Sequence, residues 1–196
     1  MKTVVVATHN AHKLAEIEMT MKALLGPGIE LVQADGTAPV EDGATFEENA
    51  LIKARAAFRD SGQPSLADDS GICVDALDGA PGVHSARYSE DGSDSANLAL
   101  LLANMKGATN RAATFVCAVA FVTKNGERVV RAEWSGVLRA AAKGKNGFGY
   151  DPIFAPNGLT GTAAEMTALE KAALSHRGRA LGLIAPALNR YFQSTN

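Results

Sequence analysis

Two adjacent carboxylates, Asp68 and Asp69, stand in the run Ser65-Leu66-Ala67-Asp68-Asp69-Ser70-Gly71. If the backbone stays extended there, the two side chains point to opposite faces. One can then hold a cation while the other braces the loop. Gly71 lets the chain bend where a backbone must pass close to a ligand. Asp-Asp-Ser-Gly also reads as an ordinary turn whose side chains bond their own backbone, and on these residues alone the turn is the simpler reading. The rest of the chain shifts that balance.

Thr8-His9-Asn10-Ala11-His12-Lys13 follows the apolar run Val4-Val5-Val6-Ala7 and precedes Leu14, Ile17, Met21, Leu24 and Leu25 at helical spacing. A strand, a polar loop and a helix N-terminus offer backbone N–H groups and a helix dipole to an anion. Lys13 in the first helical turn opposes that dipole unless an anion sits there, although an exposed lysine beside a capping Asn10 has the same pattern. Asn49 and Lys53 lie four apart, so both can reach one ligand. Gly144 to Pro152 places glycines on both sides of Phe148, whose ring face is then open to something flat. Lys171, Ser175, His176 and Arg177 gather donors near Gly178, with Lys171 and Ser175 on one helix face.

These sets differ in character. Glu41, Asp68 and Asp69 are hard oxygen donors with no Cys or His ligand spacing, which suits Mg²⁺. Lys13, Lys53, Lys171, His176 and Arg177 suit phosphate and polar groups of a ligand. Together they describe a magnesium–nucleotide site with Phe148 as a platform for the base. Neither a P-loop motif nor Gly-x-Gly-x-x-Gly after the first strand is present.

The elements that must position these groups alternate in type. Val4 to Ala7 reads as a strand buried on both faces, and Gly26-Pro27-Gly28 stops the helix after it. Ile29 to Val32 is a short strand. Thr45-Phe46-Glu47-Glu48 is a capping box opening a helix to about Arg59. Ser93 to Met105 is helical. Thr114 to Val122 and Glu127 to Leu138 form a long antiparallel pair around Asn125-Gly126. Thr162-x-x-Glu165 and Thr167-x-x-Glu170 are two further capping boxes. A last helix carries Leu181, Ile184, Leu188 and Tyr191 or Phe192, bent or broken near Gly182 and Pro186.

At 196 residues the chain can form one domain with a real core, or two small lobes. A net charge of −2 gives no footprint for a nucleic-acid polymer or a membrane surface. Cys73 and Cys117 sit in apolar runs without metal spacing and read as free, buried thiols of a reducing compartment. No signal-peptide core or membrane-spanning run is apparent, so a cytoplasmic protein is expected.

Five blocks in order resemble the family of non-canonical purine nucleoside triphosphate pyrophosphatases (inosine/xanthosine triphosphatases). They are Thr8 to Lys13, Glu41 to Ala50, Leu66 to Gly71, Gly147 to Phe154, and Ser175 to Gly178. The resemblance runs almost end to end. It implies an α/β fold over residues 1–196, elongated and two-lobed around a long, mixed, strongly twisted sheet flanked by helices, with the active site in the cleft between lobes. It implies hydrolysis of ITP, dITP and XTP to the monophosphate and pyrophosphate, with Mg²⁺, by a homodimer. By position, Thr8, His9, Asn10, Ala11, His12 and Lys13 would bind the triphosphate, and Glu41 and Asp69 the metal. Asp69 matches the proton acceptor. Ser70, Phe148, Gly149, Tyr150, Asp151, Lys171, His176 and Arg177 match substrate positions.

Within that frame, Asp69 beside a cation is expected to have a low pKa, and Asp68 to brace it from outside the metal's own ligands. His176 and Arg177, as donors, are expected to face the 6-oxo group of the purine. The family's first block usually has glycine where His9 stands, and its fourth usually begins Gly-Gly where this chain has Asn146-Gly147. Left-handed backbone at His9 would be disfavoured, whereas Asn146 would tolerate it.

Overall fold

Val4, Val5 and Val6 are apolar on both faces and form the buried part of strand β1 (Lys2–Val6). The computed structural model describes residues 2–25 and 28–194. The Gly26-Pro27 portion of the expected helix stop therefore lies outside the described residues. The order is β1, α1 (Ala11–Leu25), β2 (Ile29–Gln33), α2 (Phe46–Ser61), β3 (Ser65–Val74), α3 (Asp94–Asn104), β4 (Ala112–Thr123), β5 (Gly126–Leu138), β6 (Phe154–Pro156), α4 (Ala168–Leu174) and α5 (His176–Ser194). Short 3₁₀ turns fill several connections.

The six strands form one mixed sheet in the order β2-β1-β3-β4-β5-β6. β1 is parallel to β2, with Val4 opposite Leu31, and to β3, with Val6 opposite Leu66. β5 and β6 are antiparallel, with Val137 opposite Ala155. The α/β class that the family resemblance implies is the one observed.

The chain divides into two compact units. The first comprises Met1–Asp69, Cys117–Ala132 and Arg177–Asn196; the second comprises Ser70–Val116 and Glu133–His176. The core of the first is built from Val4, Val6, Ile17, Met21, Leu66, Val119, Leu181 and Ile184. Full burial of side chains of this size contributes about 1.5–3 kcal/mol each. The core of the second is built from Ile72, Val74, Leu101, Phe115, Trp134, Leu138, Ile153 and Phe154.

Local chemistry sets the ends of the elements. Thr45 caps α2 in a complete capping box with Glu48, and Gly62 closes the helix in the left-handed region at φ 67°. Thr162 with Glu165 and Thr167 with Glu170 form the other two expected boxes. Leu24, placed on the apolar stripe of α1 by its spacing, is exposed.

One alternative falls away and one expectation changes. The turn at Asp-Asp-Ser-Gly, already disfavoured by the rest of the chain, does not form: β3 runs unbroken from Ser65 to Val74, and the acids lie in mid-strand. The C-terminal helix is not broken at Gly182 and Pro186. Pro186 would clash with the carbonyl four residues earlier, and that residue is Gly182. A side chain at Gly182 would meet nothing within 4 Å, so the backbone there has room to adjust. The break falls earlier instead, at Ser175, which is extended (φ −69°, ψ 162°) between α4 and α5. Lys171 and Ser175 therefore do not share one continuous helix.

Gly71 marks a close approach within the second unit. A Cβ there would lie 2.4 Å from both the Gly82 carbonyl oxygen and Ser85 Oγ. Ser85 Oγ meanwhile accepts from the Ile72 N–H at 2.9 Å. We expect Gly71→Ala to destabilise the fold by about 2–3 kcal/mol, as overpacking against a fixed backbone does. Urea unfolding with a lower midpoint and an unchanged slope checks this; an unaltered midpoint contradicts it.

Candidate functional site

The pleat of β3 delivers Asp68 and Asp69 to opposite faces, as their adjacency requires in extended chain. Within the first unit each meets its own cations. Asp68 Oδ2 accepts from Arg177 Nε at 3.1 Å and Nη2 at 3.0 Å, and Lys13 Nζ stands 3.4 Å away. Arg177 Nη1 donates to Glu16 Oε2 at 2.5 Å. Asp69 Oδ1 accepts from Lys53 Nζ at 3.1 Å, and the same ammonium donates to Glu41 Oε2 at 3.1 Å. Lys53 thus gathers the two carboxylates expected to hold a metal.

The shifts in acidity separate the two aspartates. Burial would raise Asp68, but Lys13, Arg177 and Lys53 outweigh it and hold the carboxyl well below the usual range. Burial raises Asp69 above its ordinary value; Lys53 and Lys13 oppose this, and Glu41 adds to it. Among the protein's own groups, burial and a second carboxylate thus outweigh the lysines at Asp69, and the low value was expected beside a metal ion. Burial lowers Lys53, yet Asp69, Asp68 and Glu41 together carry it above the ordinary lysine value. Burial likewise pushes the Cys117 thiol up to about 12, with Asp68 adding to the shift.

Among the described residues, no group of three or more His, Cys, Asp or Glu forms a metal cage. A hard divalent cation that keeps its waters needs only one or two carboxylates. Asp69 Oδ2 is buried with no hydrogen-bond partner among the described residues, while its Oδ1 and Glu41 Oε2 converge on one cation. The donor set fits such an ion.

Asn10 caps α1 by accepting from the N–H groups of His12 and Lys13 at 3.0 and 3.1 Å. Thr8, two residues beyond β1, is buried, whereas His9 and His12 are exposed. His9 has no left-handed backbone; Asp78 is the one non-glycine residue with positive φ among those described. Its Nε2 instead donates to the Gly36 carbonyl at 2.7 Å. Asn146 also stays out of the left-handed region, which in that loop is left to Gly144, Gly147 and Gly149.

Within the second unit, Asp151 Oδ2 accepts from the Phe148 N–H at 2.9 Å and from Lys171 Nζ at 2.5 Å. Lys171 Nζ also lies 4.8 Å from the centre of the Phe148 ring. The Tyr150 hydroxyl donates to the Ser85 carbonyl at 2.8 Å, and burial raises its pKa. The Gly149 N–H donates to Asp94 Oδ2 at 2.8 Å. The His176 ring is buried and stacks on Phe115, with centroids 4.7 Å apart and planes within 5°. Ser70, the next residue after Asp69, begins this unit and is half-buried.

The structure thus brings Lys13, Glu41, Lys53, Asp68, Asp69 and Arg177 into one cluster, and Phe148, Asp151 and Lys171 into another. Asp68 braces Lys13 and Arg177. Three of the Arg177 donors face Asp68 and Glu16. Cys73 and Cys117 form no disulfide among the described residues, and Cys73 is only half-buried. Sequence reading passed over Glu16, Asn49 as a loop brace and Asp94. Glu16 lies three residues after Lys13 on one helix face, a spacing that could have flagged it. Asn49 Oδ1 accepts from the Gly43 N–H at 2.9 Å, two residues beyond Glu41. For Asp94 no signal existed, since its partner is 55 residues away.

The model of the Ham1 family matches residues 4–187. A dITP/XTP pyrophosphatase of Mycolicibacterium paratuberculosis is 50% identical over 196 residues, covering 96% of each chain. A HAM1 protein from Coxiella burnetii superposes with a TM-score of 0.87 at 38% identity, covering 97% of this chain and 100% of that one. The nucleoside-triphosphatase / dITP/XTP pyrophosphatase of Mycobacterium abscessus gives a TM-score of 0.74 at 48% identity, over 95% and 99% of the two chains.

The two aspartates should separate in stability measurements made with a chelator present. Asp68→Asn takes from buried Arg177 one of its two carboxylates and from partly buried Lys13 its paired carboxylate, and is expected to cost about 3–5 kcal/mol. Asp69→Asn removes a carboxylate that competes with Glu41 for one lysine, and is expected to leave the melting temperature equal or higher. The pH dependence follows in sign. A depressed folded pKa makes the Asp68 contribution fully present above the ordinary aspartate value, and it is lost as pH falls from there through the folded value. Wild type should therefore lose stability below about pH 4, with the Asp68→Asn variant losing less over that window. Equal thermal destabilisation by the two substitutions contradicts the assignment.

Proposed function

The chain belongs to the Ham1 family, and from that premise we propose that it hydrolyses the triphosphates of deaminated purines, ITP, dITP and XTP, to the monophosphate and pyrophosphate. The observation that carries the reading is the likeness, over nearly the whole chain, to proteins named dITP/XTP pyrophosphatase. The geometry around Asp69 supports its chemistry.

The phosphates would be received by Lys13 and the N-terminus of α1, behind the loop from Thr8 to His12. Glu41 and Asp69 would hold Mg²⁺, whose contribution is to neutralise phosphate charge and make water a better nucleophile. Asp69, through its unpartnered Oδ2, orients the attacking water and takes its proton. The water oxygen bonds to the α-phosphorus as the bond from that phosphorus to the bridging oxygen breaks, and pyrophosphate leaves with that oxygen. Lys53 and Lys13 offset the charge that develops on the phosphates. Asp68 and Arg177 hold Lys13 in place.

The base would stack on Phe148, in the loop formed by Gly149, Tyr150 and Asp151. Lys171 and Asp151 order that loop, and Ser70 and His176 complete the substrate set. Arg177 acts in this reading through Asp68, and the 6-oxo group is left to donors of the second unit. A homodimer in the cytoplasm is part of the same proposal. No helix among the described residues is long and apolar enough to cross a membrane.

A panel of ITP, dITP, XTP, ATP, GTP and dUTP, with phosphate and pyrophosphate detected separately, tests the reaction. Pyrophosphate alone should appear, fastest from the deaminated purines, and a chelator should stop it. Asp69→Asn should lower kcat by about 10²–10³ or more with the fold intact. Binding without turnover would instead indicate a nucleotide sensor, and preference for dUTP a pyrimidine enzyme. Near-normal turnover by Asp69→Asn would remove its assigned role.

A further inference from the structure

We propose that Asp94 is a positioning residue for the base: from the first turn of α3 it fixes the Gly149 backbone, and with it the loop that presents Phe148. The inference rests on the reading that this loop receives the purine.

The loop cannot hold itself. Phe148 stands between Gly147 (φ 71°) and Gly149 (φ 59°), two left-handed glycines with no helix or strand around them. Such a segment has many accessible conformations, and ordering it on binding weakens affinity. Among the bonds that prevent this are three within the second unit. Asp151 holds the Phe148 N–H, Tyr150 reaches the Ser85 carbonyl, and Asp94 Oδ2 accepts from the Gly149 N–H at 2.8 Å. The third is charge-assisted and acts on the residue directly after the aromatic ring.

Asp94 is itself held rigidly. Ser93 caps the helix by accepting from the Ala96 N–H at 3.2 Å. One turn on, the buried Asn97 accepts from the Ser89 N–H at 2.7 Å and donates to the carbonyls of Ala86 and Gly92. Leu101 and Met105 anchor the helix in the second core. An aspartate in the first helical turn has an ordinary explanation in the helix dipole. That explanation does not account for a short, directed bond to a backbone 55 residues along the chain. A loop carrying the base platform and tied to a packed helix is preorganised, which favours binding of the base and leaves the phosphates unaffected.

The test is calorimetric affinity for IMP and for pyrophosphate, with KM and kcat for ITP, on the full chain of wild type, Asp94→Ala and Asp94→Asn. The asparagine keeps a carbonyl acceptor for the Gly149 N–H and serves as the rescue. Asp94→Ala is expected to weaken IMP binding and raise KM about tenfold. Pyrophosphate affinity should stay within about twofold and kcat within about threefold, the pattern of lost uniform binding. Asp94→Asn should recover most of the loss. Equal weakening of IMP and pyrophosphate, no weakening of either, or no recovery by asparagine overturns the inference. A wild type that binds IMP but releases no pyrophosphate from ITP would sink the hydrolase reading, and the affinity comparison would still decide the role of Asp94. A wild type that does not bind IMP overturns both.

Discussion

The pairing of the Asp68 carboxylate, buried in mid-strand, with Arg177 and Lys13 is the interaction on which the first unit's ion cluster depends. An isolated charge in that position would be prohibitive, so the strand can carry it only if cations arrive from elsewhere in the chain. α1 brings Lys13 and α5 brings Arg177, 109 residues away. Because a strand alternates, fixing Asp68 toward these cations fixes Asp69 toward the opposite face. The position of Asp69, the carboxylate proposed to react, is in this sense a consequence of a structural ion cluster one residue away.

Charge balance explains why that cluster suits a metal and then a phosphate. Lys13, Lys53 and Arg177 face Glu16, Glu41, Asp68 and Asp69, leaving one negative charge in excess. The excess resides with Glu41 and Asp69, which share Lys53, and Glu41 adds to the rise that burial gives the Asp69 pKa. A divalent cation there would turn the local balance to one positive charge, attractive to a polyphosphate. Lysine is apt for the shared position, since its flexible stem and single point charge can shift between two carboxylates and a phosphate.

Much of this was legible in sequence, and the remainder fails for identifiable reasons. The opposite facing of Asp68 and Asp69 follows from adjacency alone, and the capping boxes of Thr45, Thr162 and Thr167 follow from spacing. The turn suggested by Asp-Asp-Ser-Gly did not form, because strand pairing and burial from Ser65 to Val74 outweighed local turn preference. Pro186 did not break α5, because the residue it would strike is Gly182. For Asp69 a cation could be inferred from sequence, whereas burial and the approach of Glu41 could not. Arg177 looked like a free donor until its partners on α1 and β3 were placed.

The second unit solves a different problem, and its glycines follow from its ion pair. Asp151 must send one oxygen to both the Phe148 N–H and Lys171 Nζ, and that oxygen comes to lie against residue 147. A Cβ at Gly147 would stand 2.0 Å from it, and the backbone there has φ 71°. Glycine at 147 is thus required twice, by space and by conformation. The conformational freedom this brings is removed again by bonds at each successive residue, from Phe148 through Gly149 and Tyr150 to Asp151. A loop assembled this way is flexible in sequence and fixed in structure. That combination lets a backbone run close to a flat ring without surrendering the ring's orientation.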